Sequence, residues 1–411
     1  VKYRFLLLAG LVSLTLLSSG CERVVREPAV LWTSEEEFTA YAELFNTVQS
    51  EYRISVVYRE NPARAVRNTE TPPDLVIGPY LNDRATISLF QSLEKSMENQ
   101  DPDPQSFYSG ILRLGLFEEK QTLLPVSFTL PILIFPREFE GIESFALSLE
   151  EIRTLSNEFN AANDQSRMAF SPRWDTEGAY SILRLFGTGF GETQAGTLSW
   201  NREGLNEGID YIRGWVEEVN GGWENETEFI EKYLYEPPYK LVDSGRILFA
   251  YSQIDDYFRI PSVHREQLDF RWISHQEEIP VGEDIIFAGI PKGAARTKSA
   301  KAFLSWFFNP ETQAVLLERS QYKRMRLFGL AGGFSSLSMV NEIDLPRFFP
   351  ELVGHIPPAG FLEYPGALPD NWNSLKSETI LPWIKGKLSP EASDQELDRS
   401  IERWLNQQPQ R

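Results

Sequence analysis

Few residues of this chain are arranged for covalent or metal chemistry. His264, His275 and His355 are the only histidines, and none stands three or four residues from another. No metal site is expected from them, and no cofactor. The sequence has no G-x-S-x-G elbow and no phosphate-cradling loop. The run Gly187-Thr188-Gly189-Phe190-Gly191 follows a helical pattern rather than a strand and reads as a helix-ending loop. Asn225-Glu226-Thr227 matches the glycosylation pattern by chance. Carboxylates abound, and most belong to solvated surface. What remains is non-covalent. Aromatic rings stand beside short polar or charged groups at Trp32-Thr33-Ser34, Pro79-Tyr80, Arg173-Trp174-Asp175 and Tyr251-Ser252. Ring faces stack on the C–H faces of sugars, and small polar groups or carboxylates take the hydroxyls. Trp32, Ser34, Tyr80, Trp174, Asp175, Tyr251 and Ser252 are therefore candidate ligand contacts. Arg173 joins them with a different chemistry, since its rigid fork suits a carboxylate or phosphate.

These pairs gain meaning from the elements that carry them. Residues 29–33 (AVLWT) predict a buried strand, and Ser34 with Glu37 forms an S-x-x-E capping box for a helix. Phe38, Tyr41, Ala42, Phe45 and Val48 recur at helical spacing on one face. Strands follow at 52–58 and 74–78, which makes a βαβ unit and a parallel sheet. Further on, 168–170 and 247–251 read as strands. Helices are expected over 175–186, 203–220 and 298–308, with Leu205, Ile209, Ile212 and Val216 inward on the second. Asn309-Pro310 and Ser389-Pro390 each supply a cap and a first-turn proline. Leu397, Ile401 and Leu405 stack at i, i+4 and i+8. The class is α/β. In open α/β sheets ligands bind beyond the carboxyl ends of the strands, and the aromatic–polar pairs stand at those ends.

The N-terminus reads differently. Lys2 and Arg4 precede the apolar run 5–17, too short to span a bilayer, and Ser18-Ser19-Gly20 lead to Cys21. The run 17–21 resembles a bacterial lipobox, with Leu17 one place earlier than the common form. Cys21 is the only cysteine of 411 residues, which suits an oxidising compartment and a thiol reserved for lipid. The expectation is a signal peptide over 1–20, a lipidated tether over 21–28, and a protein anchored on the outer face of a membrane, toward the periplasm or cell exterior. The remaining length exceeds one hydrophobic core, so two lobes are expected. No linker composition separates them, so strands should cross between them. Net charge is −19 and becomes −21 without Lys2 and Arg4, which repels nucleic acid.

The order of segments resembles the extracellular solute-binding proteins of ABC importers, the maltodextrin-type family 1. Residues 30–45 (VLWTSEEEFTAYAELF) resemble its opening strand and helix, and 74–80 (DLVIGPY) its "pDv" strand. Residues 124–139 (LPVSFTLPILIFPREF) resemble its hinge strand, with Phe135-Pro136 replacing the usual Tyr-Asn. Residues 243–252, 287–308 and 371–405 match later segments, and Trp372 falls where these proteins carry a stacking aromatic. The resemblance implies the type II clamp-like periplasmic-binding fold. One lobe would hold 29–129 and 288–335, the other 130–287 and 336–411. It implies a monomer without enzymatic activity that binds a sugar or oligosaccharide and delivers it to ABC permease subunits, with Trp372 among its contacts. A ligand sensor of the same fold signalling to a membrane receptor, a surface glycosidase with a carboxylate pair and a structural lipoprotein without a cleft are the alternatives.

Overall fold

The computed structural model describes residues 27–99, 101–193, 195–322 and 327–407. Cys21 and the leader expected over 1–20 lie outside them. Two sheets organise the described chain. The first has strands β1 (Ala29–Thr33), β2 (Ile54–Tyr58), β3 (Leu75–Pro79) and β4 (Leu124–Phe128). The second has β5 (Pro131–Pro136), β6 (Ala146–Ser148), β7 (Ala250–Gln253) and β8 (Leu268–Ser274). Strands β9 (Ile286–Gly289) and β10 (Phe334–Ser335) return to the first sheet. The orders are β10-β4-β9-β3-β1-β2 and β7-β5-β8-β6. Strand β1 pairs in parallel with β2 and β3, as the βαβ pattern requires, whereas β9 runs antiparallel to β3 and β4.

The chain therefore changes sheets between β4 and β5, over two residues, and again between β8 and β9. On its third passage Leu362–Glu363 pairs with Ile279–Pro280, so two passages are stitched together. Short crossings leave little freedom for the lobes except rotation about these strands.

Each lobe has helices on its sheet. In the first, α1 (Glu37–Val48) meets α4 (Thr297–Phe307) through rings: Phe38 lies 5.4 Å from Phe307, and Phe45 lies 5.3 Å edge-on to Phe303. In the second, α2 (Thr176–Leu185) and α3 (Arg202–Glu218) share a core with the C-terminal helices through Trp215, Trp372, Trp383 and Trp404.

Several expected details differ. Helix α1 starts at Glu37 with no side-chain cap. Thr33 Oγ1 accepts the Glu35 N–H, and the Ser34 hydroxyl donates to the Glu35 carboxylate. The local turn thus engages the hydroxyl before it can cap. Residues 168–170 form no strand: Met168 donates its N–H to Arg246 O, and Ala169 O accepts the N–H groups of both Leu248 and Phe249. Ser389-Pro390 starts no helix. The Ser389 hydroxyl bonds back to Gly386 O, closing the preceding helix, and the next begins at Leu397. On that last helix Leu405 is exposed and Trp404 is buried in its place.

Candidate ligand cleft

Between the two sheets lies a cavity of about 610 Å³, within the roughly 300–1,000 Å³ of small-molecule sites. Larger hollows exist, of about 770 Å³ beside Phe349 and about 1240 Å³ near Trp200. Of these three, the 610 Å³ cavity is the one that touches the crossing strands and takes its walls from the ends of β1, β3 and β7 together.

The first lobe supplies Glu35 and Tyr80. The Thr33–Glu35 turn turns the Glu35 carboxyl inward. Burial pushes that carboxyl up to about 7. The Ser34 hydroxyl opposes the shift, and the charges of Glu37 and Asp284 add to it. Tyr80 sits just past β3 with φ of +58°, an unusual conformation for an aromatic residue. That turn sends its ring into the core of the second lobe, where its hydroxyl donates to Asn373 Oδ1 at 2.6 Å.

The second lobe supplies one face of α2. Glu177, Tyr180, Ser181 and Arg184 recur at i, i+3, i+4 and i+7 and all line the cavity. Asp175 caps that helix by accepting the Gly178 N–H at 2.9 Å. Gly178 is required here because a Cβ would stand 2.9 Å from Tyr251 Cγ. The Tyr251 ring thus lies directly on the helix. Its hydroxyl is 2.8 Å from Ser181 Oγ and accepts from Gln253 Nε2 at 2.8 Å.

Glu283, in the connection between β8 and β9, is held from several sides. Tyr180 donates a hydroxyl to it, Trp372 Nε1 donates at 2.8 Å, and Lys376 Nζ is 3.5 Å away. Lys376 also pairs with Glu177 at 2.7 Å and lies 4.2 Å from the Tyr180 ring centre. Arg184 reaches Val281 O at 2.7 Å and Glu363 at 2.9 Å. Arg259 pairs with Asp255 at 2.9 Å and Asp256 at 2.7 Å. The neighbouring Asp284 carboxyl also faces the cavity, and burial pushes it up from the usual carboxylate range. It remains open to cleft water, since depth in the cleft rather than occlusion surrounds it with protein.

Of the residues singled out from sequence, Tyr80, Asp175, Tyr251 and Ser252 line the cavity. Trp32, Ser34, Arg173, Trp174 and Trp372 lie outside the lining. Trp32 sits under the Arg59 guanidinium at 4.7 Å. Arg173 is paired with the fully buried Glu226 at 2.5 Å, and Trp174 stacks on Phe229 at 5.5 Å. Trp372 is fully buried and acts on the cavity only by holding Glu283. Sequence reasoning missed Glu35, Glu177, Tyr180, Arg184, Glu283 and Asp284. The signal for three of them was present: a polar stripe at 177, 180 and 184 on a helix otherwise rich in Ala, Ile and Leu. Among the described residues no cluster of His, Cys, Asp or Glu could hold a metal, and no helix is long and apolar enough to cross a membrane.

No family model matches the chain, and no curated protein matches it in sequence. Solved structures match it in shape. The sugar-binding protein MalE from the phytopathogen Xanthomonas citri is 12% identical, with 93% of this chain and 100% of that one covered and a TM-score of 0.64. The GacH receptor of Streptomyces glaucescens, solved unliganded and with acarbose, is 16% identical over 92% and 97%, with a TM-score of 0.60. The cyclic alpha-maltosyl-1,6-maltose binding protein from Arthrobacter globiformis is 17% identical over 92% and 97%, with a TM-score of 0.58. The chain has the fold these binding proteins share: two α/β lobes joined by crossing strands, with a cleft between.

Proposed function

We propose that this protein captures a small carbohydrate in the interlobe cleft and hands it to an ABC permease, held at the outer face of a membrane by lipid on Cys21. The observation that carries the reading is the cavity of about 610 Å³ on the crossing strands, walled from both lobes by tyrosines and carboxylates. The tyrosines offer faces and edges to C–H groups, and the carboxylates accept from hydroxyls. Ligand contacts from both lobes would favour the closed arrangement, which a permease can recognise. The work is binding rather than turnover, and the fold's neighbours are binding proteins. Tyr80, Asp175, Tyr251 and Ser252 are the proposed contacts retained from the sequence. The lobes are proposed to divide near 129 and 288, where the chain crosses.

Calorimetric titration of the purified protein with a panel of sugars and oligosaccharides tests this. At least one should bind, and Tyr251→Ala should weaken it at least about tenfold, roughly 1.4 kcal/mol, measured well below the melting temperature of the variant, which loses the packing of the ring on α2. A panel in which no carbohydrate binds while amino acids or peptides do would end the reading. Fatty-acid labelling that persists in Cys21→Ser would end the anchor.

A further inference from the structure

The cleft lining is unbalanced in a way that names its ligand more closely, given the carbohydrate reading on which this inference rests. Seven carboxylates face the cavity against three cationic side chains. Each cation already has protein partners: Arg259 on Asp255 and Asp256, Lys376 on Glu177 and Glu283, Arg184 on Glu363. The tyrosine hydroxyls are similarly occupied, Tyr180 on Glu283 and Tyr251 with Ser181. What the ion pairs leave over among the charged groups is carboxylate. Among the described residues, Glu35 and Asp284 have no ion-pair partner, and the neutral Ser34 and Thr129 hydroxyls are their side-chain donors.

Two nearby carboxylates raise each other's cost of ionisation. A neutral sugar would fill acceptors but leave that repulsion in place. A uronate or phosphate would add to it. A protonated amine is a donor without acceptor capacity and carries the missing charge. We infer that the solute is a polyhydroxylated amine, such as an amino sugar or its oligomer, whose ammonium faces Glu35 and Asp284.

The test is calorimetry near neutral pH on the purified protein with matched probes: glucosamine and its β-1,4 oligomers, the same molecules N-acetylated, and the corresponding glucose oligomers. The free amines should bind at least about tenfold more tightly than both counterparts. Glu35→Gln and Asp284→Asn, singly and together, should erase that preference while leaving the ligand-free melting temperature equal or higher, because each removes a repelled charge. Acetylated or glucose probes that bind as well as the amines would overturn the inference and leave the carbohydrate reading standing. A preference for amines that survives in the double variant would also overturn it. Spermidine, a cation without hydroxyls, separates the two claims. If it alone binds, the carbohydrate reading falls, and with it the polyhydroxylated class.

Discussion

Glu35 shows how a single side chain sets the conditions under which the cleft works. Its folded-state pKa is near 7 against an ordinary 4.5. The folded protein therefore holds a proton there that the unfolded chain has lost, and the ligand-free protein loses stability as pH rises between those values. The loss is at most about 3 kcal/mol, and less where cleft water reaches the carboxylate. Glu35→Gln should gain on the parent protein progressively from pH 4.5 to 7 in melting experiments. Parallel curves would contradict the assignment. The same residue marks a limit of reading side chains from sequence. Tyr80, Asp175, Tyr251 and Ser252 were legible because they end strands or start a helix. Glu35 lies one residue past a predicted contact, in a turn whose hydrogen bonds no pattern announces. Arg173 and Trp174 carry the same residue types as a binding pair, yet the buried Glu226 and the Phe229 ring claim them. Composition at a strand end cannot tell which way a ring faces.

At the scale of elements, periodicity was the reliable guide. Leu205, Ile209, Ile212 and Val216 are buried on α3 as their spacing predicts. Local capping signals were less reliable, because hydroxyls such as Ser34 and Ser389 found nearer partners. Two helix glycines make the difference between local and tertiary control measurable. On α3, a Cβ at Gly214 would meet only Glu218 Oε1, at 3.8 Å. Gly214→Ala should stabilise the protein by roughly 0.5–1 kcal/mol through helix propensity. On α2, the same change at Gly178 presses on the base of the Tyr251 ring, which cannot swing away as a chain end would. Overpacking of this kind costs about 1–3 kcal/mol and cancels the propensity gain. Gly178→Ala should also weaken ligand binding, since Tyr251 must leave Ser181. Denaturant titration of both variants, with calorimetry on the second, gives the comparison. Stabilisation by both with unchanged binding would show that Tyr251 does not depend on its seat.

For the whole molecule, the two lobes touch at the rim as well as at the crossings. Asp370 of the second lobe pairs with Arg67 of the first and stands 3.8 Å from Arg64, and Asn61 donates to its backbone oxygen at 3.0 Å. Arg84 N–H reaches Glu192 at 3.0 Å, and Tyr80 reaches Asn373. Arg67 and Asp370 are both largely buried, at 12% and 5% side-chain exposure. Their attraction in the closed rim is opposed by the loss of their water, so the pair contributes little net closure while both members are present. Removing one member changes that balance. Asp370→Ala leaves the Arg67 guanidinium buried on closing with Asp83, at 3.6 Å, as its ion-pair partner and Glu192 further off. The open arrangement rehydrates it at no cost. The variant should therefore populate the open form, with a larger radius of gyration in solution scattering. Ligand affinity should fall about tenfold or more, since closing must then overcome roughly 1.4 kcal/mol or more. Because Arg67 keeps Asp83 in its own lobe, the penalty should stay below the full cost of an unpaired buried charge. A double change, Arg67→Leu with Asp370→Leu, removes both desolvation costs and should restore closure to near the parent level. If the single variant scatters and binds as the parent does, the rim contact plays no part in holding the lobes together. If the double variant stays open, the contact is attractive on balance rather than nearly neutral.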